Sequence, residues 1–339
     1  MSENKYQLFW IPFKELRNIQ KIIGKALLSA KYSAEWTYLY KNRVRTKMVL
    51  MKLIHRSRYD RGQLMKELKA FYIIGCKNPT YLQCYGISKD EKSGDYCLII
   101  QYVPLGSLEN NIYQISQMKW IEKVNLLFYI AHDLQIIHSL DIIHCNLHDK
   151  TILNDDIYNA YTSSFSLSLP AQEDDPGLVG HPLYAAPEVL FGESFSKASD
   201  IFSFGVLMWQ ISSGQSLISE YGKSMNIYSL TIKIHSGMRP TIRKGTISCY
   251  SDLMKRCWDS DPTKRPSALK IYKILAYWKN NIAAFYESDP VNYDEGKEIS
   301  VPKSPVNPTE LNESFSDPTE EINEELFEHE IRKKSKFIE

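Results

Sequence analysis

Between Trp120 and Leu140 the chain reads W-I-E-K-V-N-L-L-F-Y-I-A-H-D-L-Q-I-I-H-S-L, with apolar residues returning at intervals of three and four and few breaks. That pattern belongs to a mostly buried helix, one that needs a large core around it. His132 and His138 on it read as ordinary helix histidines rather than ligands. The helix delivers the chain to His144 and to the loop I-H-C-N-L-H-D-K-T-I-L-N (143–154).

Composition allows such a core. With 339 residues, 43% hydrophobic and 12% aromatic, the chain can build one large or two medium cores. Its six cysteines (Cys76, Cys84, Cys97, Cys145, Cys249, Cys257) show no C-x-x-C pair and no zinc spacing, which points to free thiols in a reducing compartment. The opening M-S-E-N-K-Y-Q-L-F-W lacks the layout of a signal peptide, and no run approaches the roughly 18 apolar residues of a membrane span. A cytoplasmic location without membrane contact is expected. The net charge of +1 hides a division: from Glu287 onward fifteen Asp/Glu face six Lys/Arg, a balance of −9 that leaves +10 for the residues before it. Either this is a solvated tail beside ordinary surface lysines, or the acidic segment folds back on the basic body.

The loop 143–154 and the Ser164-Phe165-Ser166 that follows resemble the catalytic loop H-R-D-L-x-x-x-N and the D-F-G turn of protein kinases, at that family's spacing. The frame is kept and the chemistry is not. His144 is present, but Cys145 stands for Arg, Asn146 for the catalytic Asp, Thr151 for the metal-binding Asn and Ser164 for the D-F-G Asp. Further on, A-A-P-E-V-L (185–190) resembles the family's A-P-E. S-D-I-F-S-F-G-V-L-M-W-Q-I-S-S-G (199–214) resembles its central helix, and R-C-W-D-S-D-P-T-K-R-P-S (256–267) its late helix turn. The resemblance implies structural duties: Glu188 pairing with Arg265, Asp200 capping backbone amides of the catalytic loop, and Phe71, His144 and Phe165 stacked as an internal spine.

In the first half, Ile19 to Trp36 reads as two short strands and resembles the glycine-rich phosphate loop. Gly24 is kept, while Ala26 and Ser29 replace the other glycines and Lys31 replaces the valine against adenine. A lone glycine here is equally a plain turn. In T-K-M-V-L-M-K-L (46–53), Lys52 falls on the phosphate-pairing lysine and Leu50 on its small alanine. Arg61 to Ile74 sets Leu64, Leu68 and Phe71 on one helical face. Glu67 is either the partner of Lys52 or an exposed side chain near Lys69. Residues 78–87 and 96–103 read as strands; the resemblance implies that the second enters a hinge at Gln101 to Val103, with Ile100 as gatekeeper and Leu153 as the floor of the adenine slot.

The expected architecture is therefore α+β, a two-lobed protein-kinase-like fold: a lead-in over 1–16, a small β-rich lobe over 17–101, a larger helical lobe over 102–286, and an acidic disordered tail over 287–339. Within that tail 318–334 reads as a frayed end or a short helix. The function expected by resemblance is that of a degenerate, tyrosine-kinase-like member, a catalytically dead pseudokinase acting as a signalling scaffold or allosteric module through protein partners. No nucleic acid, metal or cofactor is expected. The alternative is an atypical or weak ATP-dependent serine/threonine or tyrosine kinase, using Asp149, Asp155 or Asp156 as substitutes and ATP with magnesium as cofactors. On that alternative Gly24, Lys52, Glu67, Gln101, Val103 and Leu153 would bind nucleotide.

Overall fold

The computed structural model describes residues 9–22, 29–55, 57, 64, 68, 71–72, 74–75, 81–163, 181–222 and 226–287. Gly24, Ala26, Glu67, Cys76, Ser164, Phe165 and the segment 288–339, with its helix expected over 318–334, lie outside the described residues. The described chain divides into two compact units, one of 9–64 with 83–102, the other of 65–82 with 103–287.

The first unit is a six-stranded sheet in the order β1-β5-β6-β4-β3-β2. Its strands are β1 (Phe9–Trp10), β2 (Leu16–Lys21), β3 (Ser29–Tyr40), β4 (Arg43–Ile54), β5 (Cys84–Lys89) and β6 (Tyr96–Gln101). The pairings are antiparallel except at one edge, where β1 runs parallel to β5 with Phe9 opposite Gly86. Within the lead-in expected over 1–16, the described residues supply this edge strand and a turn of 3₁₀ helix at Phe13–Glu15. The reason is burial: Ile11 is covered and its N–H donates to Ile87 at 2.8 Å, so the segment gains both a ladder bond and an apolar contact.

Alternation gives the sheet two different faces. Val49, Met51 and Leu53 join Ile11, Leu16, Ala34, Trp36, Cys97 and Ile99 in one apolar cluster. The other face carries Leu50 and Lys52, both buried, beside their cross-strand partners Ser33 and Lys31.

The second unit is helical around a two-stranded ribbon, β7 (Ile152–Asn154) with β8 (Ala160–Thr162). Its helices are α1 (Leu108–Ser116), α2 (Trp120–Ser139), α3 (Pro187–Leu190), α4 (Lys197–Ser213), α5 (Leu217–Tyr221), α6 (Ile227–His235), α7 (Ser248–Cys257), α8 (Ala268–Asn280) and α9 (Ile282–Tyr286). Leu68, Phe71 and Ile74 are buried helical residues of this unit, and Leu64, which belongs to the first, is buried and helical too.

Helix α4 is the axis of the core. Every residue from Ser199 to Ile211 is buried, among them Phe202, Phe204, Leu207 and Trp209, each of which contributes about 1.5–3 kcal/mol on leaving water. Its start is held reciprocally: Ser196 Oγ accepts from the Ser199 N–H and Ser199 Oγ from the Ser196 N–H. Gly214, left-handed at φ 70°, closes it. Gly205 lets α7 approach, because a Cβ there would stand 2.9 Å from the Cys257 Cβ. Buried rings place their polar ends on carbonyls, Trp209 Nε1 on Thr241 and the Tyr250 hydroxyl on Met208.

Among the described residues no helix is long and apolar enough to cross a membrane. The five described cysteines are all free thiols.

Candidate functional site

The loop between α2 and β7 is held from below by one carboxylate. Asp200, in the first turn of α4 and 2% exposed, accepts from the His144 N–H at 2.7 Å and from the Cys145 N–H at 3.0 Å. Its Oδ2 also meets His138 Nε2 at 2.9 Å. Three donors on one buried carboxylate need a sharp turn, and Cys145 makes it at φ 61°. A left-handed side-chain-bearing residue costs about 1–2 kcal/mol, which the charge-assisted bonds to Asp200 offset. The His144 ring is fully buried. Burial pushes its pKa down to about 4, His148 and His138 push the same way, and Asp200 opposes them. At neutral pH it is an uncharged packing ring.

The far half of the loop is held by its own side chains. Thr151 Oγ1 stands 2.9 Å from both the Asn146 and His148 carbonyls and accepts from the His148 N–H at 3.0 Å. The hydroxyl is a staple closing the turn 146–151, and it is 3% exposed. Asn146 is half-buried beside a small recess that Cys145, Leu147, His181, Tyr184 and Ser199 also line. Its amide has no basic lone pair for a proton at neutral pH.

Asp149, the substitute acid, is buried. Its Oδ2 accepts from Gln210 Nε2 on α4 at 3.1 Å, and Gln210 Oε1 accepts from the Tyr184 hydroxyl at 2.6 Å. His148 Nδ1 lies 3.7 Å from its Oδ1. Burial opposes its charge, but hydrogen bonds with His148, Gln210 and Tyr184 outweigh it, and the carboxyl stays below its ordinary range. Asp149 is an ionised member of a buried network rather than a base waiting for a proton. Asp156 is closed within its own turn, accepting from the Tyr158 and Asn159 N–H groups.

At the two positions that the resemblance gives to metal ligands, Thr151 has its hydroxyl engaged on the backbone and Ser164 lies outside the described residues. Among the described residues no group of three or more His, Cys, Asp or Glu could hold a metal.

The other named positions fall as follows. Arg265 grips Glu188 with both terminal nitrogens, at 2.7 and 2.8 Å, and donates to the Ala198 carbonyl at 3.0 Å. This ties α3 to the turn before α8. Leu153 is buried on β7 and bridges Ser107. Val103 is buried, and its carbonyl accepts from the Gly106 N–H. The Gln101 side chain folds back to accept from the Gln83 N–H at 3.4 Å. Lys52 is 5% exposed and lies directly across from Lys31.

Three polar residues went unread in the sequence, Asp133, Tyr184 and Gln210, and a fourth, His138, was read only as an ordinary helix histidine and not as the partner of Asp200. Asp133, on α2, accepts from the Thr162 N–H at 2.9 Å and so fixes the end of β8. A signal existed for three of them. His138, Asp133 and Gln210 interrupt helices that are apolar nearly all round, and a polar group there has to find a partner in the core.

A sheet unit, a helical unit and a His-led loop capped from a buried helix define a protein of the kinase class. Residues 18–275, more than half of the chain, match the family described as protein tyrosine and serine/threonine kinase, and the chain belongs to it. It is similar to a putative serine/threonine-protein kinase/receptor of Acanthamoeba polyphaga mimivirus, 30% identical over 179 residues, 52% of this chain and 10% of the relative. It is also similar to dual specificity protein kinase shkC of Dictyostelium discoideum, 26% identical over 267 residues, 76% of this chain and 50% of the relative. Against mitogen-activated protein kinase kinase kinase 7 of Bos taurus the identity is 24% over 306 residues, 86% of this chain and 49% of the relative. The chain spans half or less of the length of these relatives.

Proposed function

We propose that this chain is a pseudokinase of the tyrosine-kinase-like group, a signalling scaffold or allosteric module that acts through protein partners and transfers no phosphate. The observation that carries the reading is the bonding of residues 146–151. Phosphoryl transfer needs a group that takes up or orients the hydroxyl proton and ligands that hold the metal against the phosphates. Asn146 offers an amide, the Thr151 hydroxyl is bonded into its own turn, and the Asp149 carboxylate is turned to Gln210. Loss of a general base alone lowers a rate about 10²–10⁴-fold, and loss of the metal adds to it. On this reading the protein works in the cytoplasm, needs neither ATP nor magnesium, and has no nucleic-acid or membrane partner.

Incubation with radiolabelled ATP, magnesium and generic serine, threonine and tyrosine substrates should give no transfer above blank. In a thermal-shift experiment, 1 mM nucleotide with magnesium should raise the midpoint by about 1 °C or less, since a millimolar dissociation constant supplies only about 0.4 kcal/mol. Transfer that Lys52→Ala abolishes would overturn the proposal.

One observation favours the second reading, an atypical serine/threonine or tyrosine kinase. Lys31 lies opposite Lys52, so two cations share one sheet face where an anionic ligand could meet them. The relatives' names point the same way. A micromolar, magnesium-dependent nucleotide affinity that falls in both Lys31→Ala and Lys52→Ala would put this reading first.

A further inference from the structure

The hairpin of β3 and β4 outruns its sheet. Strand β2 pairs with β3 only as far as Trp36, and β6 pairs with β4 only from Val49 onward. Residues 37–46 therefore form a two-stranded ribbon with no third strand among the described residues. Such a ribbon is marginal in water by itself, yet this one exposes large apolar side chains, Leu39 at 69% and Val44 at 72%. Its register is informative. Trp36 faces Lys47, Tyr38 faces Arg45 and Tyr40 faces Arg43, so one face is a ladder of three aromatic–cation pairs. Lys47 Nζ sits over Tyr85 at 3.4 Å and over Trp36 at 4.9 Å, and Lys41 Nζ lies 5.2 Å from the Tyr40 ring. Lys41, Arg43 and Arg45 are exposed, and none of the four cations is in an ion pair with a described residue. Charges that only guard a sheet edge would explain the cations. They would not explain Leu39 and Val44 left open on the ribbon's opposite face.

We propose that this ribbon is the docking face for the chain's own segment 310–330. The segment, E-L-N-E-S-F-S-D-P-T-E-E-I-N-E-E-L-F-E-H-E, holds nine Asp/Glu, no Lys or Arg, and five large apolar residues, Leu311, Phe315, Ile322, Leu326 and Phe327. It offers carboxylates for the cation ladder and apolar side chains for the exposed Tyr40 ring on that same face. Twenty-two residues separate Glu287 from Glu310. They reach at most about 75 Å, so the segment is tethered and competes against free anions at a high effective concentration. The proposal does not depend on whether the kinase site is active.

Zero-length carbodiimide coupling of the full chain at low salt joins lysine amines to carboxylates in contact. The expected product is a monomer in which Lys41 or Lys47 is joined to an acid within 310–330, identified by peptide mass spectrometry. Its yield should fall about tenfold in R43S/R45S and in 0.5 M salt, which screens exposed charges within a few ångströms. E320Q/E321Q/E324Q/E325Q leaves the hairpin untouched and should lose the product equally. A yield unchanged in both variants, its absence in the unaltered chain, or its appearance only in dimer-sized material would overturn the proposal. So would retention of a single-stranded oligonucleotide that R43S/R45S loses while no coupling to 310–330 occurs.

Discussion

The two halves of the loop 143–151 are built to different plans. The first half, at His144 and Cys145, is held by a carboxylate contributed from elsewhere, Asp200 of α4. The second half, from Asn146 to Thr151, is held by a hydroxyl of its own. A remote anchor fixes where the loop sits in the core, whereas a local staple fixes only how the turn closes. The anchor engages His138 as well, and on the proposed reading the staple sits where kinases place a metal ligand. A fold can keep the first and reassign the second, because stability rests on the anchor and catalysis on the reactive positions.

That contrast is testable in order of size. Asp200→Ala strands two buried N–H donors and His138 at once, and should lower unfolding stability by about 3–5 kcal/mol. A urea midpoint that scarcely moves would show that the loop is anchored by something other than α4.

Acid is the next lever. His144 and His181 both have their pKa pushed down to about 4, in each case by burial first. Between about pH 6.5 and pH 4 the unfolded chain therefore binds protons that the native chain refuses, so stability falls as pH falls through that window and levels off below it. For His144 the loss should approach about 3 kcal/mol. His144→Phe should flatten this part of the curve, and an equally steep curve in the variant would assign the effect elsewhere.

Thr151→Val removes the staple while keeping the shape. The Asn146 carbonyl and the His148 N–H lose a partner, at about 1–2 kcal/mol. Since the loop's position is set by Asp200, the near-ultraviolet circular dichroism of the core should be unchanged. Loss of that signal would erase the distinction between anchor and staple. Asp149→Asn should be milder, about 1 kcal/mol, because an amide can still meet Gln210.

Much of the frame was legible because it is local. The apolar strand run in 46–53, the nearly unbroken apolar period of α2 and the Gly214 that closes α4 are readable from residues a few positions apart. They specify which elements form and which faces are apolar. The extra edge strand at Phe9–Trp10 was not legible, since two residues carry no period and their strand character comes from β5.

The sequence alone determined the chemical inventory: an amide at 146, a hydroxyl at 151, a carboxylate at 149, and an acidic stretch over 310–330 in a chain whose preceding residues are net basic. Tertiary structure alone decided what each polar group does. It brings Arg265 to Glu188 across 77 positions and His138 to Asp200 across 62, turns Asp149 toward Gln210, and lays Lys31 beside Lys52. The physical reason is desolvation. Local propensity acts over about four residues, but a buried charge must be satisfied by whatever the folded core sets within about 3 Å of it, wherever that lies in the chain.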